Sequence, residues 1–217
     1  ENRILLNMGG IANFTFLSGD LDTSKVFSTD TGPGNTIMDA LVQKHFPGKY
    51  FDENAAIAKS GVINEKLLAG LMDHPFFEQP FPKTTGPELF SLAYLDAVLN
   101  KHDIGEVSVP DTMATLNRFS AQTIVEAIKR VFIGKEDFVL YASGGGMHNP
   151  LLMQHIKNEL PGIEIHTTDA LQINPDAKEA VLFAVLANEC LSGGKTGLGK
   201  QGTAIPSVSM GKISFPD

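Results

Sequence analysis

Cysteine is nearly absent: Cys190 stands alone among 217 residues. An internal disulfide is therefore excluded, as is a metal site built on several thiolates. The scarcity fits a reducing compartment. The six histidines, His148 and His166 among them, form no HxH or HExxH pair, so the usual zinc signatures are missing. No run of Lys or Arg stands out, and the formal net charge is −8. A nucleic-acid backbone needs a basic face, so that class of partner is disfavoured. A small anion held by a few amides remains compatible with an acidic chain. No stretch reaches about 18 unbroken apolar residues, which argues against a membrane-spanning helix. There is no internal repeat and no low-complexity linker.

Apolar residues make up 42% and charged residues 19%, a globular balance at a length that can bury a real core in one domain. The chain enters a core-like strand at once, Glu1-Asn2-Arg3 giving way to Ile4-Leu5-Leu6 without an initiator Met. That start predicts a piece of a longer protein. Alternation predicts strands over 3–8, 11–17 and 24–29. A helix is expected over about 36–45 with Asn35 as its cap, since Ile37, Met38, Leu41 and Val42 share a face. Helical patterns recur near 53–59, 63–72 and 88–99, with an extended packed loop from His74 to Gly86. A long helix is expected over 111–132, a buried strand over 137–142, a helix over 150–159 and a short strand over 163–166. The Ala-rich segment 175–191 is apolar nearly all round, which predicts a deeply buried helix. The tail 193–217 reads as glycine-rich loop with one strand pattern near its end. Three strands followed by β-α-β-α crossovers predict a mixed β-sheet with helices on both faces, an α/β fold.

Three glycine segments are candidates for chemistry. Gly9-Gly10 form the turn of the first hairpin, where bare backbone can approach phosphate oxygens; an ordinary hairpin turn reads the same way. Asp30-Thr31-Gly32-Pro33-Gly34-Asn35 lie between a strand and a helix start, where amides and dipole favour anions. There Asp30 could hold Mg2+ directly or through water and Thr31 could bond a phosphate, or the segment is a capped Pro-Gly turn. Ser143-Gly144-Gly145-Gly146-Met147-His148-Asn149 follow a buried strand and precede a helix, the crevice position where nucleotides bind; a flexible link is the alternative. This last segment is neither GxGxxG nor a P-loop, and Ser143 lacks the elbow of a serine hydrolase. Asp39 reads as a solvated charge, and Glu179 as an answer to the helix dipole or a group facing a cleft.

The blocks NMGGIANFT (7–15), STDTGPGNTIMDA (28–40), KTTGPELF (83–90), DTMATLNRFSAQTI (111–124), SGGGMHNPLLM (143–153) and TTDALQINPDAKEAVLFAVLANECL (167–191) resemble, in order, motifs of the anhydro-N-acetylmuramic acid kinase family. The resemblance spans nearly the whole chain. It implies a ribonuclease-H-like lobe of the actin, hexokinase and Hsp70 superfamily, with residues 1–217 as the C-terminal nucleotide-binding lobe. It also implies an ATP- and Mg2+-dependent cytoplasmic enzyme that opens 1,6-anhydro-N-acetylmuramic acid with water and phosphorylates its O6, a step of cell-wall recycling. By the same resemblance Gly9, Gly10 and Asn13 meet phosphate, and Asp30, Thr31, Gly32, Gly34 and Asn35 lie by phosphate and metal. Gly144, Gly145, Gly146 and Asn149 hold adenosine, and Glu179 meets the sugar or the attacking water. The first phosphate loop, of GxMSGTSxDG type, and the catalytic Asp belong to a preceding lobe, and neither motif occurs in these 217 residues. Where the family more often has Arg, this chain has Pro87. A homodimer fits the family. The competing readings are another small-molecule kinase of the superfamily, or a non-catalytic ATP-binding or partner-binding module.

Overall fold

Alternating side chains set the sheet. In the computed structural model, which describes residues 1–132 and 137–192, strand β1 (Asn2–Met8) buries Ile4, Leu6 and Met8. Strand β2 (Ile11–Leu17) buries Ala12, Phe14 and Phe16 on the same face. The third strand, expected at 24–29, is instead β3 (Phe27–Pro33). Thr23–Lys25 form a tight turn capped by Asp22, whose Oδ1 accepts from Ser24 N at 3.0 Å. The acidic loop is therefore strand: Asp30 pairs with Asn13, Gly32 with Ala12 and Pro33 with Ile11, across a bulge between Ala12 and Asn13. β3 is a sheet edge, where the missing N–H of Pro33 breaks no ladder.

Next come α1 (Thr36–His45), α2 (Ala56–Ser60), α3 (Glu65–Met72), α4 (Pro75–Glu78), α5 (Leu92–Lys101) and α6 (Val109–Phe132). They are followed by β4 (Phe138–Ser143), α7 (Pro150–Glu159), β5 (Glu164–Thr167) and α8 (Lys178–Ser192). The helix expected at 53–59 is broken, because Asn54 and Ala55 both take φ of 55°. The expected loop from His74 to Gly86 contains α4, whose first turn is capped by His74 Nδ1 accepting from Phe76 N at 3.1 Å.

The strands lie in the order β3-β2-β1-β4-β5. β2 is antiparallel to both of its neighbours, β1 and β3, and β4 and β5 run parallel to β1. This is the ribonuclease-H-like arrangement. One core lies between the sheet and helices α6 and α7, with Ile4, Leu6, Phe14 and Leu140 meeting Ile124, Ile128, Leu152 and Ile156. A second core joins α1, α3, α5 and α6 through Leu41, Leu67, Leu95 and Leu116, with Phe90 and Phe119 fully buried. Helix α6 serves both cores, so its 24 residues are buried on most sides. Full burial of each such aromatic or Leu side chain is worth roughly 1.5–3 kcal/mol.

Helix α8 starts on the opposite face of the sheet, where Lys178 Nζ reaches Asn7 Oδ1 at 3.1 Å. Its expected deep burial is overturned: Phe183 is 67% and Leu191 76% exposed, and no residue of the helix is buried. Periodicity reads how apolar a helix is, not whether a neighbour reaches it. The tail reading at 193–217 lies outside the described residues.

Candidate functional site

Pairing register builds the site. Asp30 on β3 pairs with Asn13 on β2, Asn13 with Asn7 on β1, and Asn7 with Ser143 on β4. These four polar residues form a row across four strands, on the face opposite the Ile4–Leu6–Met8 core. Lys178 closes the row at one end, donating to Asn7 Oδ1 at 3.1 Å and to Ser143 Oγ at 2.8 Å. Burial lowers its ammonium pKa below the ordinary lysine range, partly offset by the charge of Glu179. At the other end, Asp30 Oδ2 accepts from Thr85 N at 2.7 Å and Thr84 Oγ1 at 3.0 Å. The KTTGPELF block thus anchors the acidic residue through two threonines.

The three glycine turns do meet. Gly34 N donates to Gly10 O at 2.8 Å, Asn35 N to Gly9 O at 2.9 Å and Thr36 N to Gly10 O at 3.1 Å. A Cβ on Gly34 would lie 2.2 Å from Gly9 O, so only glycine permits this approach. Gly144, at φ +83°, packs against the end of β1: a Cβ there would lie 2.9 Å from both Asn7 Oδ1 and Met8 O. Gly146 is pressed on Met8 and Asn35 in the same way.

Closure also corrects several expectations. The amides of Gly34, Asn35 and Thr36 are taken by the hairpin carbonyls, so these three hold the turns together instead of facing an anion. Thr31 is 1% exposed and donates to Ala12 O at 3.1 Å; it supports the bulge and has no hydroxyl to offer a phosphate. Gly32 faces the interior, where a Cβ would meet Phe77 and Thr123 at 3.1 and 3.3 Å. Asn35 does not cap α1 through its side chain. That side chain lies instead beside Gly145 and Gly146.

Two cavities adjoin at Gly145. The larger, about 360 Å³, is lined by Asn35, Met38, Asp39, Phe51, Asp52, Asn54, Gly145, His148 and Asn149. The smaller, about 140 Å³, is lined by Asn7, Gly144, Gly145, Pro175, Asp176, Lys178 and Glu179. Gly145 has open space toward the larger one: the nearest atom to an added Cβ is Asn35 Nδ2, at 3.8 Å. His148 and Asp176, 3.1 Å apart, link the walls of the two cavities. Asn149 accepts from Leu152 N at 3.0 Å as the cap of α7, and from Asn117 Nδ2 at 3.1 Å. A bigger hollow of about 600 Å³, beside Glu1, Phe138 and Pro161, lies at the opposite end of the strands, away from the three glycine turns that meet at the site.

Sequence reasoning passed over roles for Asn7 and Lys178 and read Asp39 as a solvated charge. Asp39 is half-buried, not solvated, and desolvation pushes its carboxyl pKa up to about 6. A signal existed for it: Asp39 stands four residues after Asn35, on one helix face, and its N–H donates to Asn35 O at 2.8 Å. For Asn7 and Lys178 none did, because their contact joins residues 171 positions apart. Among the described residues no group of three or more His, Cys, Asp or Glu is clustered as for a metal ion.

The family model described as anhydro-N-acetylmuramic acid kinase matches residues 1–216. Curated relatives carry the same description. That of Pseudoalteromonas atlantica is 55% identical over 218 residues, covering 100% of this chain and 54% of the relative. That of Pasteurella multocida is 41% identical, covering 98% and 55%, and that of Clostridioides difficile 40% identical, covering 88% and 50%. The chain spans about half the length of the curated relatives it matches. Among solved structures, the activator of the 2-hydroxyisocaproyl-CoA dehydratase from Clostridium difficile with bound ADPNP aligns at a TM-score of 0.41 and 17% identity, over 90% of this chain and 64% of that one.

Proposed function

The chain belongs to the anhydro-N-acetylmuramic acid kinase family, and from that premise we propose that it is the nucleotide-binding half of an ATP-dependent sugar kinase. The whole enzyme opens 1,6-anhydro-N-acetylmuramic acid with water and transfers the γ-phosphoryl group of ATP to the freed O6. The product is N-acetylmuramic acid 6-phosphate. The use of ATP places the reaction in the cytoplasm. No helix of the described residues is long and apolar enough to cross a membrane. A preceding lobe supplies the first phosphate loop and the aspartate general base, and the family resemblance extends to a homodimer of the whole.

The observation that carries this reading is the convergence of the hairpin turn, the Gly34 turn and the Gly144–Gly146 turn beside a cavity of about 360 Å³. That volume suits a nucleoside. Met38 and Phe51 offer apolar surface to a base, and Asn35, Asp39 and Asn149 offer polar groups for a ribose. Gly145 leaves room for the main chain to approach the ligand. The smaller cavity, with Asn7, Gly144 and Lys178, continues toward the phosphates. Mg2+ keeps several waters and takes one or two carboxylates besides phosphate oxygens. Asp30, held at the end of the polar row by Thr84 and Thr85, fits that demand. When bound, the ion draws charge from the transferring phosphoryl group. Glu179, in the wall of the smaller cavity, is assigned to the sugar or the attacking water.

The test is a product assay on the full-length protein with ATP and the anhydro sugar. ADP and the 6-phosphate should form in equal amounts, and other sugars in a panel should not react. Residues 1–217 alone should bind ATP weakly and turn over nothing, since loss of a general base by itself costs about 10²–10⁴-fold. Sugar phosphorylation by the isolated 217 residues would overturn the division of labour between the lobes.

A further inference from the structure

Lys178 is an unusual use of a lysine. Its ammonium is partly desolvated, and among the described residues its hydrogen bonds go to two neutral oxygens, Asn7 Oδ1 and Ser143 Oγ, while the Glu179 carboxylate acts on it through charge without a hydrogen bond between them. A mechanical tie between β1 and β4 is already present, because Asn7 and Ser143 are backbone partners in the ladder. What the ladder leaves loose is the Asn7 side chain and the turn that follows Ser143. Those two touch: a Cβ on Gly144 would lie 2.9 Å from Asn7 Oδ1, and Ser143 Oγ itself donates to Leu6 O at 3.3 Å. One ammonium therefore sets the rotamer of Asn7, the hydroxyl of Ser143 and the entry of the glycine turn. All of this happens in the wall of the 140 Å³ cavity that Lys178 shares with Asn7, Gly144 and Glu179. Its neighbour Asp176 meets His148 at 3.1 Å, so the approach to α8 is linked to the glycine turn a second time.

We propose that Lys178 is a positioning residue of the nucleotide site, holding Asn7 and the Ser143–Gly144 turn in the shape that receives the phosphates of ATP. The proposal rests on the nucleotide-binding reading above. Its effect is on the order of the ligand edge, not on the fold: the strand ends stay paired without it and Gly146 stays packed on Met8, while the Asn7 amide and the Ser143–Gly144 entry of the turn lose the cation that fixes them.

The experiment compares wild type, Lys178→Met and Lys178→Arg in the full-length protein by steady-state kinetics, thermal unfolding and hydrogen exchange of peptides covering 143–149. Lys178→Met should raise KM for ATP about tenfold with kcat within about threefold, the pattern of lost binding geometry. Its melting point should stay near that of wild type, and its 143–149 amides should exchange faster. Lys178→Arg, which keeps the cation, should recover most of the KM. Unchanged KM and exchange in Lys178→Met overturn the proposal, as does a Lys178→Arg no better than Met. A fall in melting point with no change in KM assigns the residue to stability alone and overturns it too. Should Lys178→Met fail to fold, Lys178→Gln takes its place. A wild type that phosphorylates no sugar sinks the functional reading instead; the exchange rates and direct ATP titration of the same three proteins then decide for or against Lys178.

Discussion

Gly34→Ala is the sharpest test of how the site is assembled. An added Cβ would lie 2.2 Å from Gly9 O and 3.3 Å from Gly9 C, both backbone atoms that cannot swing aside. The first hairpin must then retreat by about 1 Å, since carbon and oxygen resist approach closer than about 3 Å. Three backbone hydrogen bonds cross that gap, at 2.8, 2.9 and 3.1 Å. Each is worth about 1 kcal/mol net, so weakening all three costs about 2–3 kcal/mol. The stiffer unfolded chain of the alanine variant returns about 0.4–1 kcal/mol. A net loss of about 2 kcal/mol should lower the melting point by about 4–8 °C for a chain of this size. Gly105→Ala is the control, because a Cβ there meets nothing within 4 Å. Thermal scans of wild type and both variants, followed by ATP titration calorimetry, make the measurement. Gly34→Ala should also bind ATP at least about tenfold more weakly, since the shift moves Asn35 away from Gly145 and Gly146. A Gly34→Ala protein that melts and binds like Gly105→Ala would refute the claim that these turns are held by contact.

Asp39 has a raised carboxyl pKa, about 6 against an ordinary 3.8, so the native state holds the proton more tightly than the unfolded chain. Stability from this group is present at pH 4 and lost as the pH climbs to about 6; because the side chain is half-exposed, the loss is on the order of 1 kcal/mol. Asp39→Asn should therefore stabilise the protein in urea at pH 8 and leave it unchanged near pH 4; an equal gain at both would contradict the desolvation argument. Asn149→Ala removes the cap of α7 and leaves the buried Asn117 amide without that partner. Chemical denaturation should show a loss of about 2–3 kcal/mol. A loss below half a kcal/mol would mean that water replaces both contacts.

Much of the molecule is local and was legible along the chain. β1 and β2 follow from alternation, α1 and α7 from helical spacing, and the turns at Gly9-Gly10 and Gly144–Gly146 from glycine runs after strands. These depend on φ/ψ preference and side-chain period within a window of a few residues. The motif blocks likewise sufficed to place the chain in its family. What tertiary structure decided is where those pieces close on one another. Register alone lines up Asp30, Asn13, Asn7 and Ser143 across the sheet. Closure takes the amides of Gly34, Asn35 and Thr36 for the hairpin, and turns Thr31 and Gly32 inward. It also brings Lys178 to Asn7 and half-buries Asp39, while α8, for all its apolar residues, stays uncovered by its described neighbours. The reason is that a side chain's use is set by what lies across from it, and across the sheet the partner is tens to hundreds of residues away in sequence.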